Sequence, residues 1–341
     1  MMRSALYAGA ASLLLAASMG AADAEAQSRD TIQIAGSSTV LPFASIVAEE
    51  FGALFPEFNS PVVGSGGSGG GLRQFCEGVG EGTIDIANAS RPIKESEIEA
   101  CAANGVTDIR EIQFGYDGIV FAVNIDRGDF ALEPKHVFLA IAAQVPVDGE
   151  LVDNPYRNWN EIDDSLPDQP IALAIPGANH GTREVFEERV TGPGCEALDL
   201  AAAPEGYCSA FRQDVVVEIA GDYTETLARL QSDPNTIGVF GLSFYDQNRD
   251  RLKVATISGV EPSLETIASG EYSVSRPLFF YVKGEHIGVV PGIEQYVEFF
   301  LSDQMAGAGG LLEDAGLIPA SSEERAAVLE AFFAGETVSG Q

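Results

Sequence analysis

Strand-like and helix-like segments alternate along this chain, and that alternation restricts its fold more than any other feature. Residues 31–35 alternate as a strand does, and apolar residues then recur at helical spacing over 40–55. The order repeats at 61–76 and at 171–190. Further strands are predicted at 84–87, 112, 119–123, 236–240 and 278–282, helices at 291–301 and 323–333, and loops at 144–156 and 191–206. Strands that alternate with helices are typical of parallel sheets, so the pattern predicts an α/β fold.

The N-terminus has the pattern of a cleavable secretory signal peptide. Arg3 gives a basic start, residues 5–19 are apolar or small, and A-x-A motifs permit cleavage after Ala24 or Ala26. The apolar stretch is shorter than the roughly 20 residues that span a bilayer. We therefore predict that residues 1–26 are a signal peptide and that the protein is exported.

Chain length and charge narrow the possible partners. A mature chain of a little over 300 residues suits two domains (about 100–200 residues each). The formal charge is −32, from 19 basic and 51 acidic residues, which argues against nucleic acid or an anionic membrane surface as a partner. A site built from backbone N–H groups remains compatible with this charge, because salt screens surface charges beyond about 8 Å.

The four cysteines suit an oxidising compartment. Four cysteines allow three connectivities. We favour the pairs Cys76–Cys101 and Cys195–Cys208, because each pair falls within one predicted domain. The sequence contains no C-x-x-C motif and no histidine beside a cysteine, so it gives no support for a metal site.

Three predicted strand-turn-helix junctions share small residues and hydroxyl groups. They lie at 36–39, 64–71 and 178–182, and Ser38, Thr39, Ser68 and Thr182 stand at the helix starts. A helix N-terminus offers unpaired N–H groups and a partial positive charge, and glycine lets the backbone approach a ligand closely. Serine and threonine are also ordinary helix caps. Three such turns in one chain nevertheless favour a shared oxyanion site.

The glycine-rich turn also fits motifs of other chemistries. It contains G-x-G-x-x-G, but the acidic residue that a dinucleotide fold requires at a later strand end is missing, and no lysine follows as in a P-loop. It also fits G-x-S-x-G with Ser68 as the nucleophile of a serine hydrolase. His136, His180 and His286 are then the candidate bases. This hydrolase remains an alternative.

Two arginines follow strand ends near these turns. Arg183 lies in the first turn of the third predicted helix, where a cation opposes the helix dipole. It either pairs with Glu187 one turn later or faces an anion, and the composition of the loop favours the anion. Ser90 and Arg91 similarly offer a hydroxyl and a guanidinium after a strand, although Pro92 is also compatible with a simple turn.

Five segments in order resemble the periplasmic phosphate-binding component of the phosphate ABC importer. They are residues 34–42 (IAGSSTVLP), the glycine run ending in GLRQ at 71–74, 84–92 (IDIANASRP), 117–124 (DGIVFAVN) and 180–183 (HGTR). Each segment alone is weakly specific, whereas the ordered set spans essentially the whole mature chain. The resemblance implies a type II periplasmic binding protein that holds inorganic phosphate between two α/β domains joined by two crossover strands.

The resemblance also implies domain bounds, a ligand set and partners. Domain I would comprise 27–118 and 281–341, and domain II would comprise 119–280. The expected ligand-binding residues are Ser38, Thr39, Val40, Ser68, Ser90, His180, Gly181, Thr182 and Arg183. We expect a monomer in the periplasm that works with an inner-membrane ABC permease, with no cofactor, metal or catalysis.

The chain departs from the family pattern at three positions. Ser90 stands where many members carry aspartate, Pro176 where they carry arginine, and His180 where serine is usual. Arg183 would then supply the guanidinium. Without the aspartate, the margin of phosphate over sulfate should be smaller, so a protein that binds sulfate, molybdate or another oxyanion is the alternative within this class.

Overall fold

A computed structural model describes residues 29–338 apart from 148, 179–180, 201–203, 205 and 221–222. The predicted signal peptide lies outside the described residues. The strands are β1 (Gln33–Gly36), β2 (Val62–Ser65), β3 (Ile86–Ala89), β4 (Ile109–Asn124), β5 (Ala131–Leu132), β6 (Gln144–Val147), β7 (Glu150–Asp153), β8 (Leu173–Pro176), β9 (Val216–Ile219), β10 (Ile237–Gly241), β11 (Leu252–Val254), β12 (Thr256–Ile257), β13 (Ser275–Lys283) and β14 (Ile318–Pro319).

Helices lie between most of these strands, as the sequence pattern predicts. They are α1 (Leu41–Leu54), α2 (Ser68–Phe75), α3 (Glu95–Ala103), α4 (Pro134–Ile141), α5 (Gly181–Phe186), α6 (Gly192–Glu196), α7 (Tyr223–Ser232), α8 (Leu242–Asp246), α9 (Leu264–Ala268), α10 (Ile293–Phe300), α11 (Asp303–Ala306), α12 (Leu311–Asp314) and α13 (Ser322–Ala334). A π-helical stretch, Glu187–Thr191, continues α5. The α/β fold class is confirmed.

One long curled sheet has the strand order β2-β1-β3-β13-β4-β10-β8-β9. The outer strands pair in parallel, β1 with β2 and β3, and β8 with β9 and β10. The two central strands, β13 and β4, run antiparallel to their neighbours. They form a seam between two parallel half-sheets.

Strand β4 passes through both half-sheets. It pairs with β13 from Ile109 to Gly118 and with β10 from Ile119 onward. We call residues 29–118 and 275–338 the first lobe and residues 119–274 the second lobe. Each lobe has its own hydrophobic clusters, although Ile318 and Ala320 of the C-terminal segment join the second lobe's main cluster.

Three sequence-based expectations were wrong in detail. The strands predicted separately at 112 and 119–123 are one strand, because the polar Gly115–Gly118 stretch pairs with β13 rather than forming a turn. The loop predicted at 191–206 contains the helix α6 (Gly192–Glu196). The loop predicted at 144–156 contains the β6–β7 hairpin. Its turn includes Gly149 at φ 86°, the left-handed backbone that hairpin turns favour. The Asp-Gly pair at 148–149 is the sequence signal for it.

Both predicted disulfides are present. Cys76 is bonded to Cys101 and Cys195 to Cys208, so each bond stays within one lobe. The first ties the end of α2 to α3, and the second ties α6 to the segment before β9. Because each bond stays within one lobe, neither disulfide links the two lobes to each other.

Candidate functional site

The first junction, from β1 into α1, is pressed against the end of β3. Gly36 has φ 147°, and a Cβ there would lie 2.1 Å from the carbonyl oxygen of Asn88, so only glycine fits. The Ser37 hydroxyl accepts hydrogen bonds from the N–H groups of Thr39 (3.2 Å) and Val40 (3.4 Å). The turn thus exposes Ser38 and buries the other two predicted contacts, Thr39 and Val40.

The second junction joins the first at the same sheet edge. A Cβ at Gly71 of α2 would lie 2.4 Å from the Cα of Gly36, which shows how closely the two turns pack. Ser68, the first residue of α2, accepts a hydrogen bond from the Ser90 N–H at 3.1 Å, and the two hydroxyl oxygens are 3.1 Å apart. Ser68 and Ser90 therefore form one hydroxyl pair beside the first turn.

The third junction begins α5 in the second lobe. His180 lies outside the described residues, and Gly181 is the first residue of the helix. Thr182 is buried and shares a hydrogen bond with the hydroxyl of Tyr223. Burial raises the pKa of Tyr223, so that hydroxyl stays protonated.

The structure places Arg183 among second-lobe groups. Its Nε donates to Glu187 at 2.7 Å, and its Nη1 donates to Glu218 at 3.1 Å and to the Pro176 carbonyl at 2.9 Å. The guanidinium also lies over the Phe211 ring, 5.2 Å from its centre. The sequence allowed Arg183 either to pair with Glu187 or to face an anion, and the structure shows the pair with Glu187.

A different arginine lies where the lobes meet. Arg276, in β13, is 1% exposed, and its Nη2 donates to the Thr39 hydroxyl at 2.7 Å. Its Nη1 donates to Glu188 at 2.8 Å, and its Nη2 lies 3.3 Å from Glu184. A buried guanidinium that donates to the first turn and to two carboxylates is suited to bind negatively charged oxygens.

Glu184, in α5 of the second lobe, contacts the first turn. Its Oε2 accepts hydrogen bonds from the hydroxyls of Thr39 (2.6 Å) and Ser38 (3.3 Å). The two turns from different lobes therefore meet directly. This contact places α5, the helix that follows the third junction, against the first junction.

Asp117 lies beneath Arg276 on the other seam strand. The two residues are register partners of β4 and β13, and Asp117 Oδ2 is 3.7 Å from Arg276 Nε. Neither of these two atoms has a hydrogen-bond partner among the described residues. Burial raises the pKa of Asp117 to about 6, against an opposing effect of Arg276.

The arrangement gives no support to the serine hydrolase. His286 contacts Asp85 through Nδ1 (2.6 Å) and accepts from the Gly80 N–H through Nε2 (2.9 Å). His136 Nδ1 accepts from the Glu133 N–H, and its Nε2 lies 3.6 Å from Asp163. Neither of these two histidines, the described ones, is bonded to Ser68, whose observed hydroxyl contacts are with Ser90.

Comparison with known proteins identifies the family of this chain. A family model described as PBP superfamily domain matches residues 21–304. Protein SphX of Synechococcus elongatus is 30% identical over 92% of this chain and 85% of its own length. The phosphate-binding protein PstS of Staphylococcus haemolyticus is 30% identical over 83% of this chain and 79% of its length. The chain belongs to the PBP superfamily, in the family of these PstS and SphX proteins.

A solved structure extends the likeness to the fold of this PBP superfamily member. It is the crystal structure of a possible phosphate binding protein from Planctomyces limnophilus, with 27% identity and a TM-score of 0.70. The alignment covers 90% of this chain and 99% of that one. Among the described residues, no helix is long and apolar enough to cross a membrane.

Sequence reasoning missed Arg276, Glu184 and Asp117 as a group. The sequence places Asp117 within a segment of the family resemblance, and its apolar pattern predicts a strand that begins at residue 278, two residues after Arg276. A lone arginine before an apolar strand gives no signal of its partners. Their contacts arise from the β4–β13 register and from the approach of α5, which lies over 90 residues away from β13 in the chain.

Proposed function

We propose that this protein is the solute-binding component of a phosphate ABC importer and that it binds inorganic phosphate at the seam between its lobes. The observation that carries the proposal is the meeting of the first-lobe hydroxyls of Ser38 and Thr39 with α5 and the buried Arg276. Hydroxyl, N–H and guanidinium donors suit a tetrahedral oxyanion. Relatives whose names include phosphate binding support the choice of anion.

The proposed site draws on both lobes. The contacts are Ser38, Thr39, Val40, Ser68, Ser90, His180, Gly181, Thr182 and Arg276. We move the main charged contact from Arg183 to Arg276, because the Arg183 guanidinium already pairs with Glu187 and Glu218. Arg183 then braces α5 from within the second lobe.

We also propose a domain organisation, a location and a transport role. We propose that the lobes are two domains, divided near the predicted bounds, which close on the ligand by bending at the seam strands. The protein would be exported by residues 1–26, act in the periplasm as a monomer, deliver phosphate to an inner-membrane permease, and catalyse no reaction. A covalent fluorophosphonate adduct on Ser68 would contradict this last point and favour the hydrolase.

Isothermal titration calorimetry with phosphate, sulfate and molybdate tests the proposal. We expect phosphate to bind most tightly. Thr39→Val should weaken phosphate binding by about tenfold, since hydrogen bonds to charged groups contribute roughly 1.5–3 kcal/mol. Arg276→Lys should weaken it further, whereas Arg183→Lys, a matched change outside the proposed contacts, should alter it little.

A substitution at Ser90 tests how the site selects phosphate over sulfate. Phosphate near neutral pH carries a proton and sulfate does not, and a carboxylate would accept that proton while repelling the sulfate dianion. Ser90→Asp should therefore widen the ratio of phosphate to sulfate affinity. Equal binding of sulfate and phosphate by the parent protein would refute the phosphate assignment and leave a general oxyanion binder.

A further inference from the structure

The carboxylate of Glu184 receives hydrogen bonds from donors that the proposed function assigns to phosphate. Its Oε2 accepts from the hydroxyls of Thr39 and Ser38 and lies 3.3 Å from Arg276 Nη2. A side-chain carboxylate and a phosphate share the chemistry that these groups recognise, namely negatively charged oxygens. The residue therefore has the contacts of a bound anion.

We propose that Glu184 is an internal occupant of the anion site, which phosphate must displace. The inference rests on the proposed function, because it concerns the affinity of the same site. Glu184 would thereby set how tightly the protein holds its ligand, and it would hold the two lobes together before the ligand arrives.

The hydroxyl of Thr39 forces this competition. It has one proton, which it donates to Glu184, while its oxygen accepts from Arg276. It can donate to phosphate only after that proton leaves the carboxylate. A phosphate that kept Glu184 as a neighbour would also face a like charge at hydrogen-bond distance, which is unfavourable.

The side chain has a route out of the site. Glu184 is 35% exposed, whereas Arg276 is 1% exposed and fixed in β13. The carboxylate can therefore turn toward solvent while the guanidinium stays in place. Glu188, on the next helical turn, keeps its own contact with Arg276 Nη1 at 2.8 Å, so displacement of Glu184 does not leave the buried cation unpaired.

Glu188 provides a matched control. Both carboxylates contact Arg276, but in the described part of the chain the hydroxyls of Ser38 and Thr39 bond to Glu184 and not to Glu188. Glu184→Gln and Glu188→Gln each remove one negative charge near the same guanidinium and preserve side-chain shape. A difference between them therefore isolates occupation of the hydroxyl site from general electrostatics.

Calorimetry on the two variants gives the first readout. With Glu184→Gln we expect the dissociation constant for phosphate to fall by roughly three- to tenfold, because an apparent dissociation constant is raised when only a fraction of molecules is open to the ligand. Sulfate binding should tighten by a similar factor. Glu188→Gln should change either constant no more than about twofold.

Three results would overturn the proposal. Equal tightening by both variants would assign the effect to charge alone. Weaker phosphate binding with stronger sulfate binding in Glu184→Gln would make Glu184 an acceptor of the phosphate proton. Unchanged binding of both anions by Glu184→Gln would show that the carboxylate does not compete.

A ligand-free measurement separates this proposal from the proposed function. Small-angle scattering without phosphate should show a larger radius of gyration for Glu184→Gln than for Glu188→Gln, because Glu184 bridges the lobes through Ser38 and Thr39 as well as Arg276, whereas Glu188 bridges them through Arg276 alone. If neither the parent nor either variant binds phosphate but the ligand-free radii of the two variants differ, the proposed function fails and the interlobe contact stands. If phosphate binds but the ligand-free radii agree, the bridging role is refuted.

Discussion

Asp117 should make folding stability depend on pH in a way that its burial predicts. Its side chain is 7% exposed beneath Arg276, and burial raises its pKa to about 6 from an ordinary 3.8. The folded protein therefore holds this proton to higher pH than the unfolded chain does. The group favours folding at low pH, and this contribution is lost as pH rises from about 4 through about 6.

The magnitude follows from the two pKa values. Their difference of about 2 pKa units, at about 1.4 kcal/mol each, corresponds to about 3 kcal/mol across the full titration. Between pH 5 and pH 7.5, where the folded protein can be studied, about 1.4 kcal/mol of this should be lost. Asp117→Asn cannot titrate and should lack this component.

Urea unfolding of the parent and of Asp117→Asn at pH 5, 6 and 7.5 measures the effect. Other carboxylates titrate in both proteins, so the difference in unfolding free energy isolates Asp117. Between pH 5 and pH 7.5 the unfolding free energy of Asp117→Asn should rise by about 1.4 kcal/mol relative to that of the parent. Asp129→Asn is the control, because Lys253 lowers the pKa of that exposed carboxyl and its titration falls below this range.

A constant difference between the parent and Asp117→Asn across this range would refute the reasoning. It would mean that Asp117 is ionised throughout, with Arg276 at 3.7 Å offsetting the cost of burial. A pKa lowered by the ion pair would give the same constant difference, because Asp117 would then be ionised in both the folded and the unfolded state above pH 5.

Three further outcomes are expected. Replacing Cys195 and Cys208 with serine should lower the free energy of unfolding by about 3 kcal/mol in the chain-entropy model, since the bond closes a 13-residue separation; an unchanged urea midpoint would contradict this. Burial lowers the pKa of Lys283 to about 8, so the unfolded chain binds its proton more tightly and parental stability should rise between about pH 8 and 10.5; Lys283→Met should lack that rise. Phosphate should reduce the radius of gyration in small-angle scattering most clearly in Glu184→Gln, whose ligand-free lobes lack the carboxylate bridge, and an unchanged radius in that variant would favour a preformed rigid pocket.

The α/β class and most of the regular elements follow from the sequence alone. The apolar periodicity of α1 and of the buried strands is a local property, fixed by which side chains are apolar and how they are spaced. The turns at Gly36, Ser68 and Thr182 could likewise be found locally, because helix starts favour small or hydroxyl-bearing residues. The disulfide pairs followed from the predicted division of the chain.

The charged part of the site was decided only by the tertiary structure. Arg183 stands in a promising local sequence, yet its guanidinium pairs within the second lobe. Arg276 stands in an unremarkable one, yet the register of β13 on β4 places it opposite Asp117, and the approach of α5 brings Glu184 to it. Which charges meet depends on strand register and on the meeting of two lobes, and both depend on contacts between residues far apart in the chain. Local sequence therefore specifies the helix starts, while the fold determines which cation and which carboxylate face them.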